Sequence, residues 1–547
     1  MSFSSLLFLS ASIVAQTQAD DSESRDAEKL DQIVVTATRT EAPLSAIPGT
    51  VTLIGREEIA QQSLLRDELS SVLEYSVPGF APSTRKLAGR AETLRGRNPL
   101  YLIDGVPQHN ALRDGQRDGY VIDLDFIERI EVINGSNAIQ GVGATGGVVQ
   151  MVTRQPGSAD RWETEVNARL GIDDGFDDDA LSYKLSAISG RRLGQVDLSL
   201  GIAYQERGLF VDANGDPVGL YPTQGDIMDS TSLGLLVKSV WHYAEDASLT
   251  FMLNDFDLER NGDFRSVNGN RSLGILTGTE AGDPSALVGD PARNEVTTAS
   301  LTWRKAQLAG GSVSAQLFDQ SYRALFEGGT FAGFFRLTPD GPEFLDQSAV
   351  VSDKQGLKLT WNRPLDAAGS QLTLGLDWYR DDSAQVLAPS GREWVPETRF
   401  ESLAPFVQAS WALTDALTLS GGLRLEDAEL RVDDYVTIAS AGSTPVGGGS
   451  PSFSETLPNL GLVWRLAEDW TIYASYGEGF TMPDVGRVLR AVSTPGLTVD
   501  RLIAVEPIVS DNRELGLEWT PGSLRARIAV FDSTADNGSL LRLNSQG

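Results

Sequence analysis

The sequence predicts a mainly β protein, a transmembrane antiparallel β-barrel behind a smaller N-terminal α/β domain. Three observations predict it. From Trp162 onward, apolar residues recur at every second position in about fifteen segments, each near the ~10 residues that a tilted membrane strand needs. The connections between these segments alternate between short and long, as in barrels with tight turns at one end and loops at the other. No stretch after residue 20 approaches the ~18 continuous apolar residues of a membrane helix, although 41% of the chain is apolar.

Composition narrows the function classes. The formal net charge of −30 over 547 residues argues against nucleic acid as a partner, because Asp and Glu repel phosphates. Cysteine is absent, which suits an oxidising compartment in which no disulfide is used.

In chain order, residues 3–15 (FSSLLFLSASIVA) form an apolar run of signal-peptide length, followed by small residues at Ala15 and Ala19. Residues 1–19 are expected to be an export signal, although no Lys or Arg precedes the run. Residues 20–40 are expected to be a flexible segment, charged at first and then carrying strong strand formers from Gln32 to Thr38. A compact α/β domain follows over 41–155. Ile59, Leu64, Leu65, Leu69, Val72 and Leu73 recur at helical spacing between Glu57 and Tyr75, and Val77-Pro78-Gly79 stops the pattern. Gly135, Gly141, Gly143, Gly146 and Gly147 are the densest glycine cluster. No Gly-Lys-Ser/Thr follows, so tight turns and close strand approach are expected rather than a phosphate loop.

The region 160–547 carries the alternation. Leu233, Leu235 and Val237 exemplify it, as do Leu372, Leu374, Leu376 and Trp378. Short turns are expected near 193–194, 244–248, 309–312, 365–370, 414–416, 467–469 and 521–523. Long loops are expected over 207–229, 261–294, 326–353, 382–401, 429–456 and 481–511. Trp162, Trp241, Tyr243, Trp303, Trp361, Trp378, Tyr379, Trp411, Trp464 and Trp470 lie near strand ends, where aromatic girdles sit. A water-soluble sandwich also alternates, but it explains neither feature.

These residues resemble the TonB-dependent receptors of the bacterial outer membrane. DQIVVTA, at Asp31, Gln32, Ile33, Val34, Val35, Thr36 and Ala37, resembles the Ton box. TLRGRNPLYLIDGVPQ (93–108) and the glycine-rich 126–154 segment are similar to the family's plug, and YASYGEGFTMP (473–483) and RELGLEW (513–519) to its barrel strands. Asn134, Gln140 and Gln150 depart from the family pattern. The resemblance implies a plug in the lumen of a barrel of about 22 strands, of which about fifteen are present. The chain is therefore expected to be a fragment whose barrel is incomplete.

The resemblance also implies function. TonB, with its inner-membrane energising complex, would pair with the Ton box and tug the plug to import a ferric siderophore. Plug–barrel ion pairs are expected among Arg95, Arg97, Arg129, Glu478 and Glu514. The apical plug stretches 83–90 and 109–119 are basic in an acidic chain, so Arg85, Lys86, Arg90, His109, Arg113 and Arg117 are expected to meet an anionic chelate. No enzyme activity and no resident cofactor or metal are expected, iron travelling only as cargo. With only His109 and His242, a Ser-His arrangement has no support. Cobalamin, haem, an oligosaccharide or another metal chelate remain open as cargo. A passive porin is the alternative class, and it has neither Ton box nor plug. Outer-membrane lipid is the expected surroundings.

Overall fold

A computed structural model describes residues 7–13, 34–35, 39, 42–89, 92–110, 117–136, 138–173, 175–221, 224–286, 289–502, 506–521 and 524–536. Among these residues the chain folds into a small mixed domain set against a long, curved antiparallel sheet.

The small domain has strands β1 (Val51–Gly55), β2 (Leu100–Ile103), β3 (Val106–Pro107), β4 (Ile127–Asn134) and β5 (Gly147–Thr153), in the order β1-β4-β5-β2-β3. Only β2 and β5 run parallel. Strands β2 and β5 are buried at every position, which is why they read as continuous apolar runs rather than alternations.

The helical pattern at 57–75 becomes two helices, α1 (Arg56–Ser63) and α2 (Leu69–Ser76), with a break at 64–68. Asp67, in the break, pairs with Lys184 and Arg169 on the large sheet. The glycine cluster serves turns and close approach. Gly135, Gly141, Gly143 and Gly147 have positive φ, and a Cβ on Gly146 would lie 2.6 Å from the Arg97 carbonyl oxygen.

The large sheet contains fifteen consecutive antiparallel strands from β6 to β20. They are β6 (Glu163–Ile172), β7 (Ser182–Leu193), β8 (Val196–Arg207), β9 (Ser230–Ala244), β10 (Ala247–Arg260), β11 (Arg293–Leu308), β12 (Gly311–Leu325) and β13 (Ser348–Pro364), then β14 (Gln371–Leu387), β15 (Arg392–Thr414), β16 (Leu417–Val432), β17 (Ser452–Ala467), β18 (Trp470–Thr481), β19 (Ile508–Trp519) and β20 (Ala526–Asp536). Leu7–Ile13, within the expected signal segment, pairs with the free side of β6. Among the described residues the two ends of the sheet do not pair, so the wall is open rather than closed.

Alternation holds along the wall. On β10, Met252, Asn254, Phe256, Leu258 and Arg260 are buried on the inner face, while their neighbours are more exposed. The apolar positions of the sequence pattern, such as Leu235, Leu376, Leu403, Leu425 and Leu515, are exposed on the outer face. Trp241, Trp411, Trp464 and Trp470 are exposed near the short turns, and Trp303 donates to Tyr243 over 2.6 Å. Tyr379 departs from the expected girdle. It is buried on the inner face, because it has the opposite parity to Trp378.

One expected loop is not a loop. The 382–401 stretch continues β14 and β15 to a tight turn at 388–391, since Leu387 and Val395 find buried packing beyond the wall, Leu387 against Phe334 and Ile438. The remaining long connections lie at one end of the sheet.

Candidate functional site

The interface between the small domain and the concave face of the wall is where most of the buried charge lies. Inward register positions of the wall carry Lys184, Lys238, Lys354, Lys358 and Arg424, all buried. A buried charge needs a partner, and these cations find theirs largely across the interface.

Three clusters do this. On β6 and β7, Lys184 lies 2.7 Å from Asp123, 2.8 Å from Asp67 and 3.3 Å from Asp125, while Arg169 pairs with Asp67 and Asp125. Burial pushes the Asp125 carboxyl up, but Lys184 and Arg169 outweigh it and hold it below the usual carboxylate range. Asp123 moves the other way, with burial dominating over Lys184.

The second cluster clasps the Asp104-Gly105 turn between β2 and β3. Lys238 lies 2.9 Å from the Asp104 carboxylate, Gln316 donates to the Asp104 carbonyl over 2.9 Å, and Lys358 donates to the Gly105 carbonyl over 2.6 Å. Gln150 completes the turn by accepting from the Gly105 N–H at 3.2 Å.

The third cluster joins Arg39 to Asp377 on β14. Arg424 approaches the same carboxylate at 2.7 Å and reaches Glu426 at 2.7 Å. Arg39 stands two positions beyond Ala37, the last residue of the DQIVVTA stretch.

Of the five expected interface charges, Arg95 and Glu514 meet at 2.5 Å, both nearly inaccessible. The Thr50 N–H (3.0 Å), the Thr50 hydroxyl and the Tyr473 hydroxyl (3.0 Å) also donate to Glu514. Arg97 donates instead to the Ser533 hydroxyl at 2.6 Å. Arg129 pairs with Glu131, two positions along its own strand, at 2.8 Å. Glu478 accepts from Tyr476 on its own strand at 2.5 Å. The last two diverge from the expected cross-interface pairing because a same-face neighbour two residues away lies within reach in a strand.

The apical cations also divide. Arg85 is exposed. Lys86 is taken up by Asp226 at 2.5 Å and the Gly219 carbonyl at 3.0 Å. Arg117 is 1% exposed and donates to the backbone carbonyls of Arg293, Gln224 and Leu325. Both therefore tie the small domain to the outer loops rather than stand open to solvent. His109 stacks on Tyr379 (6.2 Å, 11°), and burial with Lys354 and Lys358 pushes it down to about 3, so it is neutral. Arg90 and Arg113 lie outside the described residues. So does the DQIVVTA stretch apart from Val34–Val35, which pairs with Ala42–Pro43. Among the described residues, no group of three or more His, Cys, Asp or Glu is placed to hold a metal ion.

The sequence reading missed Lys184, Lys238, Lys358, Arg39, Asp377 and Arg424. One signal was available. Each wall cation occupies an inward position in an alternating strand, where a solvated charge is not expected.

Comparison with known proteins decides the family. Residues 43–148 match the TonB-dependent receptor plug domain, and residues 241–546 match the TonB-dependent receptor-like β-barrel. The chain belongs to the TonB-dependent receptor family. Its place is accordingly the outer membrane of a Gram-negative bacterium, with the small domain as plug and the sheet as barrel wall. It is similar to a ferric aerobactin receptor of Klebsiella pneumoniae, 27% identical over 97% of this chain and 75% of that one. A rhizobactin receptor of Rhizobium meliloti is 24% identical over the same shares. Among solved structures, the ferric enterobactin receptor PfeA superposes with a TM-score of 0.65 at 20% identity, covering 90% of this chain and 72% of that one. The copper transporter OprC gives 0.64 at 17% identity, covering 89% and 72%.

Proposed function

We propose that this receptor imports a ferric siderophore across the outer membrane, driven by TonB, without chemistry on the cargo. One observation carries the reading. Relatives that match over 97% of this chain include two ferric aerobactin receptors and a rhizobactin receptor. The basic apical plug loops agree with an anionic chelate, and Arg85 is an exposed cation there.

The drive would enter through Asp31 to Ala37. A β-prone strand on a leash can add to an edge of TonB through backbone hydrogen bonds. Tension on that strand reaches Arg39 first, then the pairs that hold the plug to the wall. The plug–wall clusters keep the path shut at rest, since separating any one leaves a buried charge without its partner.

Growth of an iron-starved strain carrying this receptor as its sole importer, on a panel of purified ferric siderophores, tests the reading. Rescue by ferric aerobactin or ferric rhizobactin, abolished by deleting residues 31–37, is expected. Rescue only by cobalamin or an oligosaccharide would overturn the cargo. Import untouched by the deletion would overturn the drive.

A further inference from the structure

One inner column of the wall pairs cations with aromatic rings in a regular series. On β12, Phe318 and Tyr322 point inward four positions apart, and Phe326 follows four positions later, just past the strand end. Each ring has a cation against it. Lys358 Nζ lies 5.9 Å from the Phe318 centroid, Lys354 Nζ 5.8 Å from Tyr322, and the Arg117 guanidinium 4.7 Å from Phe326. At ~3.3 Å per residue the series descends roughly 26 Å from the loop end toward the turn end.

The plug covers this column at every level. Arg117 belongs to the plug itself. Gln108 accepts from Gln320, whose Oε1 accepts from Lys354 at 2.5 Å. The Gly105 carbonyl is the described acceptor of Lys358. His109 lies within the field of both lysines, its ring nitrogens enclosed without a hydrogen-bond partner among the described residues. Acid groups are near, but they are engaged. Asp381, opposite Lys354, accepts from Ser352 and Ser383, and Asp377, opposite Lys358, is held by Arg39 and Arg424.

Two lysines enclosed by burial and held by neutral oxygens are a costly way merely to seat a plug. When plug residues 104–109 move, Lys358 loses its Gly105 acceptor and the Gln320 amide that holds Lys354 loses Gln108, whereas the lysines, Gln320 and the rings stay with the wall. We propose that the Lys354–Tyr322 and Lys358–Phe318 rungs form a transient binding track for an anionic chelate, uncovered when the plug segment 104–109 withdraws. Cations meet the ligand's carboxylates, and the ring faces meet its apolar surface. The inference rests on the siderophore reading for its cargo, but the site itself does not.

The test is the double variant Lys354→Gln/Lys358→Gln, which replaces each ammonium by a neutral amide donor so that the charge is lost. Two measurements are made. In planar bilayers, urea loosens the plug of the full receptor, and the reversal potential across a KCl gradient reports anion preference. The unaltered receptor is expected to favour chloride more than the variant by at least about twofold. An equal preference overturns the track whatever the cargo is.

In cells, surface binding of ferric aerobactin is expected to stay within about twofold while energised uptake falls about tenfold, a loss of ~1.4 kcal/mol at the barrier. Lys354→Arg/Lys358→Arg should restore uptake. Unchanged uptake, or failure of the arginine pair to rescue it, overturns the track. Absence of aerobactin uptake by the unaltered receptor counts against the siderophore reading alone, and the bilayer measurement then decides the track.

Discussion

At the residue scale, Glu514 shows what a motif can and cannot announce. RELGLEW marks the position, and the alternation of β19 turns its side chain inward. Its partners Arg95, Thr50 and Tyr473 lie 419, 464 and 41 residues away, so no local pattern links them. With Arg95 and Glu514 each below a tenth exposed, Glu514→Ala leaves a buried guanidinium uncompensated. It should cost about 3 kcal/mol of stability, read as a lower denaturant midpoint of the purified receptor. Arg95→Met should show strong coupling with it in a double-mutant cycle.

Glu92 in the plug carries a pH dependence. Burial pushes its carboxyl from an ordinary 4.5 up to about 7, helped by Glu68 and opposed by Ser70. The folded plug therefore holds a proton that the unfolded chain releases. Its contribution is complete below pH 4.5 and is lost as pH rises to about 7, on the order of 3 kcal/mol in all. Unfolding midpoints at pH 5 and pH 8 should differ less in Glu92→Gln than in the unaltered receptor. An identical pH response would place the titration elsewhere.

At the scale of elements, strands were legible and their meetings were not. Period-two alternation is a local property, so fifteen wall strands and most of their turns can be read from the chain. The plug sheet order β1-β4-β5-β2-β3 brings together strands far apart in sequence, and nothing local specifies it. The break between α1 and α2 was hidden for a related reason. The apolar spacing favours one helix, whereas Asp67, in the break, pairs with Lys184 on the wall at 2.8 Å.

Lys184 itself reads as a lone lysine inside a strand, between Tyr183 and Leu185, and its three carboxylate partners are scattered over 67–125. Lys184→Met leaves those acids sharing only Arg169. The plug should loosen on that side, costing about 3 kcal/mol, and cells should admit large antibiotics that the outer membrane normally excludes. Unchanged exclusion and an unchanged unfolding midpoint would show that Arg169 suffices. Ahead of the plug, Val34→Pro would remove a backbone donor from the strand that the proposed drive offers to TonB. Import should fail while surface binding of the cargo persists.

At the scale of the whole molecule, one surface is apolar because lipid covers it, and depth is the variable that tests this. A soluble sandwich hides its apolar faces between sheets. Here Leu376 and Leu413 are exposed on the outer face, at 37% and 58%. They differ in height. Leu376 lies well within β14, below Trp378, whereas Leu413 sits next to the short turn after Thr414. An arginine in the middle of the hydrocarbon must drag its charge out of water, at ~2–4 kcal/mol, while one near the interface reaches water for ~0–1 kcal/mol. Leu376→Arg should therefore destabilise the receptor in vesicles several times more than Leu413→Arg, although Leu413 is the more exposed of the two. In a water-covered sheet both changes would be nearly neutral, and the ordering would vanish. Equal, small effects on reversible unfolding in lipid would remove the membrane from the account, and with it the reason for a lumen, a plug and a pull.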